Sequence, residues 1–267
     1  MNINNNTITV ASTGLSTGAL YGVYYAYGAN AGGGVGKVSN CNNNIITGNY
    51  NCSTGAVYGI YHYYTTPQTN NVSGNQMVGF TRTGITTGIT YGIYCYSLNN
   101  YATAGYTTNF YNNVVSNLTF GPTQTSGATY GMYVNGAHTI NHYNNTLSNI
   151  TFNSTTATGA FYGMYNYYYF TVMNCYNNTI DNIIHNGTGT YTMYILDDYG
   201  YYASNTTYYG NKITNVTANG SATTLYAWYK YVVGGNFKAY NNKISNIRNT
   251  SLTAGASNIY GVYAYDW

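Results

Sequence analysis

Apolar residues in this chain fall in short fixed phrases between polar stretches, and one phrase returns eight times. Each copy opens on Asn-Asn or Gly-Asn: Asn5-Asn6, Asn43-Asn44, Gly74-Asn75, Asn112-Asn113, Asn144-Asn145, Asn177-Asn178, Gly210-Asn211 and Asn241-Asn242. Successive pairs lie 31 to 38 residues apart. Two residues after the fixed Asn comes Ile8, Ile46, Met77, Val115, Leu147, Ile180, Ile213 or Ile244. Three residues further on is a second, mostly apolar slot: Phe80, Leu118, Ile150, Ile183, Val216 and Ile247. A step of three breaks the two-residue alternation of a flat strand. A bend is therefore expected just before this slot, at Asn117, Asn149, Asn182, Asn215 and Asn246. A polar loop follows, and the copy closes on Tyr-Gly-x-Tyr, as at Tyr130-Gly131-Met132-Tyr133, or on the variants Tyr191-Thr192-Met193-Tyr194 and Tyr226-Ala227-Trp228-Tyr229.

The restricted positions have a physical reading. Asn and Gly tolerate a left-handed backbone at low cost, so the first member of each pair is expected at positive φ. The fixed second members, Asn6, Asn44, Asn75, Asn113, Asn145, Asn178, Asn211 and Asn242, are expected to hydrogen-bond to one another as a ladder through stacked copies. In the closing phrase the aliphatic third residue points inward. Strand alternation then turns the first Tyr inward too and leaves the fourth outside. That gives one expected outward row: Tyr24, Tyr61, Tyr94, Tyr133, Tyr165, Tyr194, Tyr229 and Tyr263. A second row, Tyr111, Tyr143, Tyr176, Tyr209 and Tyr240, precedes the later pairs. Such rows can stabilise the fold by self-stacking, pack against a neighbouring assembly, or stack on sugars.

No copy has the 3.6-residue apolar period of a helix, and each holds about three short strands separated by bends. One copy is thus one coil. The fold class predicted is all-β: a right-handed parallel β-helix, a β-solenoid of about eight coils of roughly 33 residues, with three strands per coil. The whole of 1–267 forms a single domain, with coils starting near 5, 43, 74, 112, 144, 177, 210 and 241. At about 4.8 Å per coil the rod is about 38 Å long.

The run Asn144-Asn145-Thr146-Leu147-Ser148-Asn149-Ile150, closed by Tyr162-Gly163-Met164-Tyr165, resembles the repeats of large secreted or surface right-handed parallel β-helix proteins of bacteria. The resemblance covers essentially the whole chain. It implies the fold and a secreted, cell-surface location, in a group whose members are often adhesins or fibres.

Composition narrows the function. Charged residues are 4% of the chain, while Tyr reaches 38 and Gly 32. A formal charge of +3 supports no nucleic-acid binding, which needs a dense basic surface. No apolar run is long enough for a membrane span. Met1–Asn6 has neither the basic nor the apolar region of a signal peptide. The acids are Asp181, Asp197, Asp198 and Asp266, and only Asp197-Asp198 are close together. They read as a solvated loop, or less favoured as a hydrolytic or ion-binding site. Neighbouring strand residues point to opposite faces, so the paired carboxylates of polysaccharide hydrolysis are not expected. His62, His138, His142 and His185 read as structural, and no metal or cofactor is expected. Lys212, Lys230, Lys238, Lys243 and Arg248 gather in the last coils and read as solubilising, or as a weak polyanion patch. Cys41 and Cys175 share one inward register as buried thiols, and Cys41–Cys52 is the one plausible disulfide. Among many sequons, Asn153, Asn186, Asn205 and Asn219 are placed in long loops where glycans fit.

Neither end shows a cap, which soluble solenoids normally carry. The expectation is a non-enzymatic extracellular structural protein that assembles with itself end to end. The alternative is a surface adhesin binding glycans, as a module of a longer repeat protein.

Overall fold

A computed structural model describes the chain except residues 1, 13, 27–35, 65–66, 85–86, 98–103, 122–125, 154–157, 169, 188, 202, 220–222, 233–234, 251–256 and 267. It is a parallel β-solenoid. Three eight-stranded sheets run its length, and every strand pairs in parallel with its counterparts in the neighbouring coils. In the fifth coil the three strands are Thr139–Tyr143 on sheet 1, Thr146–Phe152 on sheet 2 and Ala160–Tyr168 on sheet 3.

The corners form where the sequence permits left-handed backbone. Asn5, Asn43, Asn112, Asn144, Asn177 and Asn241 have φ of 54–62°, and Gly74 and Gly210 take the same conformation. This is the turn between sheets 1 and 2. A second left-handed residue, Asn117, Asn149, Asn182, Asn215 or Asn246, interrupts the sheet 2 strand at φ of 53–57°. It restores the inward direction after three residues, so Leu147 and Ile150 both enter the core.

Sheet 3 departs from simple alternation. Gly59 and Ile60 are both buried, and the coil-to-coil pairing skips the glycine, running Tyr58↔Tyr91 and then Ile60↔Ile93. Two successive inward residues reset the phase, so both tyrosines of Tyr-Gly-x-Tyr lie on the outer face. The expectation that the first Tyr turns inward is corrected on this ground.

The interior is one continuous apolar column of stacked side chains from all three sheets. Its sheet 1 register reads Ile3, Cys41, Val72, Phe110, His142, Cys175, Tyr208 and Ala239 along the rod. Each coil packs only on its neighbours, so stability is a sum of coil-to-coil terms.

Candidate functional site

The eight fixed asparagines form an unbroken ladder inside the tube. Each Nδ2 donates to the Oδ1 of the next coil's Asn at 2.8–3.1 Å, from Asn6 through to Asn242. Each backbone N–H donates to that same Oδ1 at 2.9–3.2 Å. From Asn44 onward, Nδ2 also donates to a backbone carbonyl of the coil before, at 2.7–3.0 Å. An inner amide therefore has both N–H groups and its oxygen engaged, which is what allows it to be buried. The ladder also has a direction: each oxygen faces the first coil, and the backbone N–H and one Nδ2 hydrogen face the last.

Tyrosine paves the outside of sheet 3. The first Tyr of each phrase gives an eight-ring stack, Tyr21, Tyr58, Tyr91, Tyr130, Tyr162, Tyr194, Tyr226 and Tyr260, with centroids 4.7–5.0 Å apart and planes within 2–11°. The fourth-position row runs Tyr24, Tyr61, Tyr94 and Tyr133 at 4.8–5.1 Å, reaches the tilted Tyr165, and resumes at Tyr229 and Tyr263, 5.3 Å apart. Edge contacts tie the two rows, as between Tyr58 and Tyr61 at 5.0 Å. Tyr133 is so enclosed that only 7% of it is exposed. Burial first, then neighbouring hydroxyls, pushes Tyr61 and Tyr229 up to about 12, so the phenols stay protonated. On sheet 1, Tyr111, Tyr143, Tyr176, Tyr209 and Tyr240 stack at 4.8–5.2 Å, as expected.

Tyr194 is a correction. It pairs with Tyr162 and Tyr226, so it belongs to the first row, and the fourth position of the sixth coil is Asp197, between Tyr165 and Tyr229. The signal was present in the spacing. In the other seven coils the first Tyr follows the fixed Asn by 14 to 18 residues; Tyr194 follows Asn178 by 16 and Tyr191 by only 13.

Asp197 and Asp198 are not a solvated loop. Both lie in the strand Thr192–Gly200 and are buried, Asp197 under the tyrosines and Asp198 inside the tube. Burial, then the neighbouring Asp198, raises the Asp197 carboxyl well above its usual range. Burial pushes Asp198 up to about 7, partly offset by the Tyr208 hydroxyl and by Lys230. Asp198 continues an inward column of Tyr25, His62, Cys95, Val134 and Asn166 and precedes Lys230. Opposite, His142 Nδ1 meets Asn166 Oδ1 at 2.8 Å, and nearer the first coil Ser39 Oγ meets His62 Nε2 at 3.1 Å. These internal polar contacts were invisible without the register, because their members come from different coils.

His62, His142 and His185 are buried and His138 is half-buried. His185 sits in a ring stack with Tyr191, centroids 4.2 Å apart, and neither ring nitrogen has a hydrogen-bond partner among the described residues. Burial lowers its pKa from 6.5 to about 4. A base depressed in the folded state stabilises the fold fully above 6.5, and that contribution is lost as pH falls toward 4. Phe152 is the coil-five counterpart of His185, so His185→Phe fits the column. We expect the variant to be more stable at neutral pH and to lose less stability between pH 6.5 and 4, by up to about 3 kcal/mol. Urea unfolding at each pH checks this; parallel pH profiles for the two proteins would refute it.

All four cysteines are buried and unbridged, so the Cys41–Cys52 disulfide is not formed. Cys41 lies near Asn44 of the ladder, and Cys52 accepts from Arg82. Of the sequon residues, Asn153, Asn186 and Asn219 follow strands of sheet 2 and form an outer amide ladder at 2.8–3.0 Å. Asn205 is a correction: it begins a sheet 1 strand and accepts from Asn236 at 3.2 Å. Lys212, Lys238, Lys243 and Arg248 are exposed, whereas Lys230 is buried.

Among the described residues no three His, Cys, Asp or Glu side chains are grouped to hold a metal ion, and no helix is long and apolar enough to cross a membrane. The geometry defines a tyrosine-faced parallel β-solenoid. No family model, curated protein or solved structure matches the chain.

Proposed function

We propose that this protein is a non-enzymatic, extracellular structural subunit that stacks head to tail with copies of itself into a filament or surface fibre. The observation that carries the reading is the direction of the inner ladder. Among the described residues, Asn6 Oδ1 at one end accepts no hydrogen bond; at the other the Asn242 backbone N–H makes none, and its Nδ2 reaches only the Tyr208 carbonyl. Laying the first coil of one copy on the last coil of another brings these donors to that acceptor, as at every internal step. Two first coils or two last coils would instead oppose like groups. The contact is heterologous, and heterologous contacts that do not close give open polymers.

Apolar surface supports the same occupant. In the last coil Phe237, Ile259 and Val262 are 42%, 45% and 56% exposed, although their register counterparts Thr206, Leu225 and Trp228 are buried. A depression of about 330 Å³ there is lined by Trp228, Ala239, Asn242, Ile244 and Val262, among others. In the first coil Ile3, Ile8, Val10 and Leu20 only partly reach the core. Stacking would also continue the tyrosine rows from Tyr260 to Tyr21 and from Tyr263 to Tyr24. Within the rows most ring faces are covered by neighbouring rings, which leaves edges and hydroxyls for sugars. This favours a stabilising role for the tyrosines over glycan binding.

The test uses one charge at each end. Wild-type protein should form fibres in electron micrographs as its concentration rises. Val262→Lys and Ile8→Lys should each stay monomeric alone, and their mixture should stop at dimers by sedimentation, because one competent junction remains. Monodisperse wild-type rods at high concentration, or fibres indifferent to both substitutions, would overturn the proposal.

A further inference from the structure

The chain has only seven basic and four acidic residues, yet it places Lys230 and Asp198 inside the tube. They are register partners on adjacent strands of sheet 3, Asp198 in the sixth coil and Lys230 in the seventh. Asp198 is 0% and Lys230 4% exposed. The Tyr208 hydroxyl lies beside the Asp198 carboxyl and holds its pKa down, but among the described residues neither group makes a well-formed hydrogen bond. The Lys230 ammonium instead lies 4.2 Å from the centroid of the Phe237 ring. An acid and a base thus face one apolar column a coil apart, with no hydrogen bond between them among the described residues. Burying ions without good mutual geometry is unfavourable. The inner asparagine ladder satisfies itself among the described residues; this pair does not.

One reaction available to the pair removes both charges. We propose that Lys230 and Asp198 condense after folding into an intramolecular amide, a covalent rung joining the sixth and seventh coils. Adjacent coils are about 4.8 Å apart, well within the reach of a lysine stem that swings from Phe237 toward Asp198. A proton first passes from the ammonium to the carboxylate, leaving a neutral amine facing a neutral acid. The burial that raises Asp198 favours that acid form. The Nζ lone pair then attacks Cγ, forming the N–C bond. The Cγ–OH bond breaks, and the hydroxyl leaves with the second amine proton as water. No oxidant, reductant or other reagent is consumed. Tyr208, whose hydroxyl lies by the carboxyl, is placed to donate to the oxygen that gains charge and to pass the proton on. The product is a neutral amide inside the tube.

The rung concerns the interior of one subunit and stands or falls separately from end-to-end assembly. Mass spectrometry of the denatured wild-type chain should find it lighter by one water. Tryptic digestion should leave the bond after Lys230 uncut and yield a branched peptide joining the segments around residues 198 and 230. Lys230→Arg and Asp198→Ala should each restore the full sequence mass, and Tyr208→Phe should slow the loss of water after refolding. A wild-type chain at full sequence mass, with a free carboxyl at Asp198, would overturn the proposal. So would a water loss that persists in Lys230→Arg. Should a variant fail to fold, the wild-type mass and branched peptide decide alone.

Discussion

Replacing Asn145 with alanine will destabilise the middle of the solenoid by roughly 3–6 kcal/mol, more than any single exposed substitution. The figure follows from what the amide holds. Its Oδ1 accepts from both the backbone N–H and Nδ2 of Asn113, at 2.9 and 3.0 Å. Its Nδ2 donates to the Phe110 carbonyl and to Asn178 Oδ1, each at 3.0 Å. Alanine therefore strands two donors on Asn113 and takes one bond from the Phe110 carbonyl, all in a buried column. Each unmet buried group costs about 1–3 kcal/mol. Asn149→Ala is the control. That side chain is exposed, and its ladder bonds at 2.8–3.1 Å are open to water. Its loss is the left-handed backbone, φ 54°, which costs a non-glycine residue without a polar side chain about 1–2 kcal/mol. Asn144→Gly should be tolerated, since Gly74 and Gly210 fill the same corner. Urea unfolding ranks the three. Hydrogen exchange should show the Asn145→Ala loss centred on the fourth to sixth coils, because coils contact only their neighbours. Equal effects for Asn145→Ala and Asn149→Ala would mean that the inner ladder carries no special share of stability.

These corners were legible because their chemistry is local. Left-handed backbone admits few residue types, and a ladder needs the same amide in every copy, so both constraints appear directly in the letters. The second bend was legible too, from apolar slots three residues apart. What stayed hidden depends on phase or on pairing between coils. Gly59 sends itself and Ile60 inward, and no rule of strict alternation anticipates that reset. Asp197 and Asp198 look like an acidic loop until Tyr194 is aligned by its distance from Asn178 rather than by the Tyr-x-x-Tyr spelling. The Asp198–Lys230 and His142–Asn166 neighbours are 32 and 24 residues apart in sequence and meet only through the register. Arg82 gave no signal at all, being one basic residue in a polar stretch.

Arg82 is nevertheless where the second large effect is expected. It is 2% exposed and occupies the corner position that Phe120 and Phe152 fill in the next coils, where those two rings stack 4.7 Å apart. Its guanidinium replaces aromatic packing with hydrogen bonds. Nη2 donates to the Gly55 carbonyl and Nη1 to the Gly88 carbonyl, each at 2.8 Å; Nη1 also donates to Thr90 Oγ1, and Nε to Cys52 Sγ at 3.2 Å. None of these partners is a carboxylate. The charge is held by neutral acceptors from the second and third coils, so the side chain fastens two coils at one corner. Arg82→Ala removes the donors and leaves two buried carbonyls, a hydroxyl and a cavity, an expected loss of roughly 3–5 kcal/mol. Arg82→Lys should recover little, because a single ammonium cannot present the planar fork that reaches Gly55 and Gly88 together. Arg82→Phe separates packing from polarity: it restores the aromatic column of the later coils but still strands the Gly55 and Gly88 carbonyls. It should therefore fall between alanine and wild type. Thermal and urea unfolding of the three variants, with exchange read at residues 50–60 and 80–95, decide the matter. If Arg82→Phe matched or exceeded wild type, the hydrogen bonds of this corner would be dispensable and shape alone would hold it.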